Sequence, residues 1–303
     1  MAENDFAPSL LRTDWPSVIE SHLVSAGIDD HQYVEVVIKL FEAVQHGARS
    51  IGVAGSQGSG KSTLSHALQT LSEPLLGMKS VVLSLDDFYL TRSDRWSLAS
   101  VHPLLKTRGV PGTHEVDGLV AALSALLEGG VVEIPVFDKG EDDRKSAGQW
   151  VGPCDLVIVE GWCIGAEPEA QDSLNKAINT LEAVEDPDGV WRQHVNAALA
   201  RDAYRRLANL DFLLYLKPES FDHVLCWREE QEQRFNQGHL QMNRVQLERF
   251  IAHYERLTRW MMVDVPHRAQ LTVTLGRDHG IERIDQRSSG RASNAPAQSR
   301  EQY

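Results

Sequence analysis

Residues 55–62 read Gly-Ser-Gln-Gly-Ser-Gly-Lys-Ser, a match to G-x-x-x-x-G-K-[ST]. The apolar run Ile51-Gly52-Val53 precedes this stretch, and Leu64, Ala67, Leu68 and Leu71 follow it at helical spacing. A glycine-rich loop between a strand and a helix suits one ligand class above others. Glycines adopt backbone conformations closed to other residues, so successive N–H groups turn inward around an anion. A helix starting near Lys61 adds its positive N-terminal end. On this reading Gly55, Ser56, Gln57, Gly58, Ser59, Gly60, Lys61, Ser62 and Thr63 cradle the phosphates of a nucleotide. Lys61 reaches the outer phosphates, the Ser62 hydroxyl holds Mg²⁺, and Thr63 caps the site from behind. The plainer alternative is a flexible Gly/Ser turn. The loop alone does not separate hydrolysis from phosphoryl transfer.

The surroundings fit an alternating α/β chain. Apolar, β-rich runs at 50–54, 80–85, 155–159 and 211–216 read as strands, with 131–134 weaker. Helical spacing at 119–127 and between other runs predicts a parallel sheet with helices on both faces. Residues 15–46 carry two helical patterns, the second through Tyr33, Val37, Leu40, Phe41 and Val44. Residues 169–207 read as helix broken at Asp186-Pro187-Asp188-Gly189. Two more helices, 219–235 and 244–262, are separated by Asn236-Gln237-Gly238. Leu271, Val273 and Leu275 alternate as a strand paired with 281–284 across a Gly/Asp/His turn. Residues 287–303 have almost no apolar content and read as a disordered tail. The expected division is an N-terminal helical extension packed on the core at 1–47, a main domain at 48–286, and that tail.

Composition narrows the partners. With 30 Lys and Arg against 43 Asp and Glu, the net charge is −13. Such a surface disfavours nucleic acid and anionic membrane, so a small anionic substrate needs a local basic pocket. Cys154, Cys163 and Cys226 form no C-x-x-C pair, so neither zinc nor a disulfide framework is expected. Cys163 reads as a packed small residue rather than a nucleophile. The N-terminus lacks the apolar core of a secretory signal, and no run suits a membrane helix, so a cytoplasmic location is expected.

In a parallel sheet, ligands sit beyond the carboxyl ends of the strands. The second run ends in Asp86-Asp87, and the third in Glu160-Gly161-Trp162. Phosphoryl transfer to an alcohol needs a carboxylate at the accepting hydroxyl and a metal held in place. Asp86, nearer the strand, is the candidate base. Asp87 either caps the next segment or binds Mg²⁺ through water. Glu160 suits the metal-binding acid that follows a buried strand, with Gly161 and Trp162 turning the chain away.

The set GSQGSGKST, LDDFYLT, RGVPGTHE, IPVFDK and VIVEGWCIG, in this order, resembles the D-glycerate 3-kinase family. That family belongs to the phosphate-loop kinases with uridine kinase, phosphoribulokinase and pantothenate kinase. The resemblance spans roughly residues 35–285. It implies a phosphate-loop kinase fold with a helical lid, and ATP- and Mg²⁺-dependent phosphorylation of D-glycerate to 3-phosphoglycerate. Asp86 then matches the general base, Lys61 and Ser62 the loop lysine and magnesium ligand, and Glu160 the second metal ligand. Arg108 to His114 match an R-G-x-x-G-[ST]-H element facing the acceptor. Asp138-Lys139 match a Y-D-K segment, with Phe137 replacing the tyrosine. Trp227, Arg228 and Glu232 match a W-R-x-x-x-E helix, read as the lid.

A carboxylate substrate favours the planar fork of arginine, so Arg108 is the candidate to bind it, with His114 on a substrate oxygen. Lys139 and Arg144 bind substrate or phosphate, or Arg144 lies in a solvated loop. Arg228 and Arg234 point in different directions on one helix, so at most one meets the phosphates, and the resemblance makes Arg228 the candidate catalytic cation. A related kinase acting on uridine, pantothenate or a sugar phosphate stays open, as does a non-catalytic nucleotide-binding regulator. No oligomeric state is legible.

Overall fold

The computed structural model describes residues 14–235 and 242–287, with the side chains of Arg234 and Phe235 outside that description. Helices α1 (Trp15–Ser25) and α2 (Tyr33–Gln45) lead into β1 (Ser50–Gly55), α3 (Lys61–Leu76) and β2 (Ser80–Ser84). A 3-10 turn at Leu85–Phe88 gives way to α4 (Arg92–Leu98) and α5 (Val116–Leu127). Short strands β3 (Val132–Ile134), β4 (Phe137–Asp138), β5 (Asp143–Arg144) and β6 (Gln149–Val151) precede β7 (Leu156–Gly161). Then come α6 (Thr180–Glu185), α7 (Val190–Leu199), α8 (Asp202–Ala208) and β8 (Phe212–Pro218). Helices α9 (Phe221–Phe235) and α10 (Arg244–Asp264) are followed by β9 (Leu271–Leu275) and β10 (Ile281–Gln286).

The main sheet is six-stranded in the order β10-β9-β8-β1-β7-β2. Every neighbouring pair is parallel except β10 with β9. Strand β1 lies between β7 and β8, where the chain winds off in both directions, and its residues are all buried. Side chains alternate between the faces, as strand geometry demands. Ile51 and Val53 join the apolar layer of Ile19, Phe41, Leu64 and Leu68. Ala54 joins the opposite layer with Leu119, Leu123, Tyr204 and Leu257. Each large aliphatic side chain so buried contributes roughly 1.5–3 kcal/mol relative to exposure. Gly52 has no room for more, since a Cβ there would lie 2.9 Å from Leu210 Cδ1. Among the described residues no helix is long and apolar enough to cross a membrane.

Three expectations change. Residues 169–207 are less helical than their spacing suggests. A 3-10 segment at Gln171–Asn175 comes first, the Asn179 side chain then caps α6, and Gly189 at φ +76° opens α7. Capping and left-handed residues divide the segment where an apolar count does not. The weak strand at 131–134 pairs with β6 in a small sheet of its own. The alternation in β9 hides full burial. It runs parallel to β8 and is covered on both faces, so Thr272 and Thr274 are buried as well. The expected break at Asn236-Gln237-Gly238, and residues 288–303 of the expected tail, lie outside the described residues. Arg287 itself donates its N–H to Gln270 O at 2.9 Å and so extends the last strand pairing.

Candidate active site

The phosphate side is built at the end of β1. The chain turns through Gly58 (φ +78°) and Gly60 (φ +84°) into α3. Gly60 occupies the N-cap and no side chain caps the helix, so its first-turn N–H groups stay open to an anion. Lys61, Ser62 and Thr63 form that first turn. Ser56 and Ser59 are buried, and their hydroxyls have no partner among the described residues. Next door, Glu160 on β7 pairs in register with Val53. Its Oε1 accepts hydrogen bonds from Ser62 Oγ at 3.1 Å and Ser84 Oγ at 2.6 Å. Its Oε2 is buried without a partner among the described residues. A buried, half-satisfied carboxylate beside a hydroxyl is a hard-oxygen donor set, and it fits Mg²⁺ held mainly by phosphate and water.

The acceptor side is stitched from loops. Asp86 lies in the turn after β2, where Tyr89 donates its hydroxyl to Oδ1 at 2.7 Å and Lys139 donates Nζ to Oδ2 at 2.7 Å. Burial opposes ionisation of Asp86. The charges of Lys139 and Lys61, with those two hydrogen bonds, outweigh burial and hold the carboxyl well below the usual range. Asp87 points elsewhere. It accepts the Phe137 N–H at 3.2 Å, and burial, with the charges of Asp86 and Glu160 nearby, raises its pKa.

The segment 88–90 bonds to 113–115 through Leu90 N to Thr113 O at 2.9 Å and Glu115 N to Phe88 O at 2.7 Å. This brings His114 against Tyr89, their rings stacked at 4.7 Å. The Tyr204 hydroxyl accepts the Gly112 N–H at 3.3 Å and lies 3.1 Å from His114 Nδ1. In the tautomer in which Nδ1 accepts the phenolic proton, the imidazole proton lies on Nε2. Nε2 is buried and has no partner among the described residues. Burial lowers the His114 pKa to about 4 against the opposing pull of Asp86, so the ring is neutral at neutral pH.

Arg108 sits over the Phe137 ring at 5.4 Å and bonds Asp142 through Nη1. Its carbonyl accepts from the Tyr254 hydroxyl at 3.0 Å, and the Gly109 carbonyl accepts from Trp162 Nε1 at 2.7 Å. Gly109, at φ +128°, is packed so closely on the Tyr254 hydroxyl that a side chain has no space. Trp162 is therefore the buried platform under the Arg108 loop, more than a point where the chain turns away.

Some expected residues sit differently. Lys139 holds Asp86 itself. Arg144 is not solvated, because it bonds Tyr89 O at 2.6 Å and Glu115 Oε2 at 2.6 Å, pinning the 137–144 hairpin to the Asp86 turn. Arg228 bonds Glu232 at 2.7 Å and Gln231 at 2.9 Å on its own helix and lies over Phe250. Helix α9 is anchored at Trp227, which is buried against Gly58. The Arg234 side chain lies outside the described residues. Cys163 is buried, and burial pushes its thiol up, which leaves it unreactive.

The sequence reading missed Asp142, Arg95, Tyr89 and Tyr204. Asp142 takes both Arg108 and Arg95 as partners, and Arg95 is 1% exposed. A fully buried arginine on a short helix leaves no local signal that distinguishes it from a surface one.

A phosphate cradle at the switch point of a parallel sheet, with Glu160 at the end of the adjacent strand β7 and Asp86 just beyond β2, is the architecture of a phosphate-loop kinase. An uncharacterized kinase of Schizosaccharomyces pombe is 36% identical over 220 residues, covering 67% of this chain and 77% of that protein. The chloroplastic D-glycerate 3-kinase of Arabidopsis thaliana is 30% identical over 219 residues, 67% of this chain but 45% of its own length. The solved D-glycerate 3-kinase of Cryptococcus neoformans var. grubii superposes with TM-score 0.68 over 88% of this chain and 99% of that one. At 24% identity that likeness shows the fold. No family model matches. The chain belongs to the same kinase family as the Schizosaccharomyces pombe protein, it has the fold of the phosphate-loop kinases, and it is a phosphotransferase.

Proposed function

We propose that the protein transfers the γ-phosphoryl group of ATP to the 3-hydroxyl of D-glycerate, giving 3-phosphoglycerate and ADP, with Asp86 as general base. The observation that carries this reading is the position of Asp86. It lies at the carboxyl end of a strand, within the field of the loop lysine, and is held by two side chains from the acceptor loops.

Glycerate enters between the Arg108 loop and the Asp86 turn. Its carboxylate takes the N–H groups of Arg108 that Asp142 leaves free, since a guanidinium offers five donors. His114 Nε2–H donates to a substrate oxygen. It does so as a neutral group, adding no charge beside Asp86. Lys139 passes from Asp86 to the transferring phosphoryl group, following the negative charge. As it leaves, Asp86 becomes a stronger base at the moment it accepts the hydroxyl proton. Lys61 offsets charge on the phosphates, and Arg228 joins it by turning from Glu232. Ser62 and Glu160 would hold Mg²⁺, which would offset charge on the phosphate oxygens.

The test is an acceptor panel with Mg·ATP and purified protein, following ADP release. D-Glycerate should support turnover well above L-glycerate, uridine, pantothenate and ribulose 5-phosphate, with phosphorus NMR placing the new ester at carbon 3. Equal release without acceptor indicates an ATPase, and preference for another acceptor overturns the glycerate reading.

A further inference from the structure

The turn between β9 and β10 lies far in sequence from the phosphate loop, yet it touches that loop. His279 in this turn has φ +67°, a left-handed conformation uncommon for a residue with a side chain. Such a conformation persists only where the surroundings hold it. Here the His279 Nε2 lies 2.9 Å from the Gly58 carbonyl oxygen. A carbonyl only accepts, so Nε2 carries the proton and donates. The imidazole stacks on Trp227 at 4.9 Å with planes 25° apart, and Trp227 Nε1 donates to Arg277 O at 2.7 Å. Trp227 in turn blocks Gly58, where a Cβ would meet Trp227 Cβ at 2.6 Å and its carbonyl oxygen at 3.1 Å. Loop, helix α9 and hairpin turn thus close on one another.

The consequence falls on a single peptide plane. The Gly58 carbonyl is fixed from outside by His279, and the Ser59 N–H of the same peptide is fixed from inside by Ser56 O at 3.2 Å. A planar peptide held at both ends sets the direction of the N–H groups that follow it into α3. Those are the groups a phosphate meets first.

We propose that the β9–β10 turn is part of the nucleotide site, and that His279, backed by Trp227, is a positioning residue that holds the phosphate loop in its anion-binding form. This requires only that the loop binds nucleotide, whatever the acceptor. The experiment compares wild type, His279→Asn and His279→Gln as full chains. Asparagine tolerates the left-handed backbone but cannot reach Gly58 or stack, and glutamine offers a longer amide donor. The readouts are ADP affinity by calorimetry, KM for ATP against KM for the acceptor, and melting without nucleotide. His279→Asn should weaken ADP on the order of tenfold, about what one such hydrogen bond is worth. It should raise KM for ATP to match, and leave acceptor KM and the nucleotide-free melting point near wild type. His279→Gln should recover part of the affinity. Unchanged ADP affinity in His279→Asn overturns the proposal. So does a loss that appears equally in ADP affinity, acceptor KM and nucleotide-free melting, with no recovery in His279→Gln, because that is the signature of general destabilisation.

Discussion

The two halves of the active site are prepared in opposite ways. On the phosphate side, polar atoms wait without partners: the hydroxyls of Ser56 and Ser59, and Glu160 Oε2, are buried and unmatched among the described residues. On the acceptor side the charges are already matched. Lys139 is on Asp86, Arg108 and Arg95 are on Asp142, and Arg144 is on Glu115. An unsatisfied buried group is costly, so the phosphate side gains from any ligand that completes it. A paired site gains only by exchange, since each substrate contact must replace one already made. On the proposed function, this difference would let one cleft take nucleotide readily while water or a wrong acceptor gains little from entering. His114 is the exception on the acceptor side, with Nε2 unmatched among the described residues.

The contrast can be broken at several points. Asp86→Asn should lower turnover about 10³-fold, the range of a lost general base, while ADP affinity and melting stay near wild type. Steady-state kinetics beside calorimetry checks this, and near-normal turnover would remove Asp86 from the chemistry. His114 provides a pH test of stability. Burial lowers its pKa from the ordinary 6.5 to about 4, so the unfolded chain takes up the proton first as pH falls. Stability from this group is full above pH 6.5 and is lost between 6.5 and 4, by about 3 kcal/mol over the whole window. Urea unfolding of wild type and His114→Gln across that range should show the steeper loss in wild type.

Glu160→Gln acts on the phosphate side alone. It should weaken Mg²⁺ dependence by roughly 10–100-fold without changing acceptor KM, as read from metal titrations of activity. The smallest effect belongs to Arg144→Ala, which unpins the 137–144 hairpin. We expect a loss of about 1–2 kcal/mol in unfolding free energy together with a raised acceptor KM. A change in KM for ATP instead would blur the division between the two sides.

The halves also differ in how readable they were. Gly55 to Ser62 form one contiguous signal, and Asp86 and Glu160 announce themselves as acids ending apolar runs. The parallel sheet and the apolar face of α3 follow from the same pattern. The acceptor side leaves no period to read. Lys139 meets Asp86 across 53 positions, and Arg108 meets Asp142 across 34. Pairings between loops are set by tertiary placement, so Glu141 to Lys145 look like a solvated charged stretch until the fold brings Arg95 and Arg108 to them. The expected break at 186–189 does fall between α6 and α7, while the 3-10 segment at Gln171–Asn175 and the division of α7 from α8 escaped for a related reason. Caps and left-handed residues act one position at a time and barely alter an apolar periodicity. The support of the phosphate loop by His279 and Trp227 joins chain segments that no motif connects.

The claim that the acceptor side works by exchange rests on Lys139 holding Asp86. Its most direct test is the pH dependence of kcat/KM for the acceptor at saturating ATP, in wild type and in Lys139→Ala. Lys139 stabilises the Asp86 carboxylate, so the wild-type profile should stay flat down through about pH 5, below which an ordinary buried carboxylate would already be protonating. Removing that charge leaves burial opposed only by Lys61 and the Tyr89 hydroxyl, and the acid limb of Lys139→Ala should move upward by more than about one pH unit. Superimposable profiles would show that Lys139 does not govern Asp86, and the exchange account would fail with it.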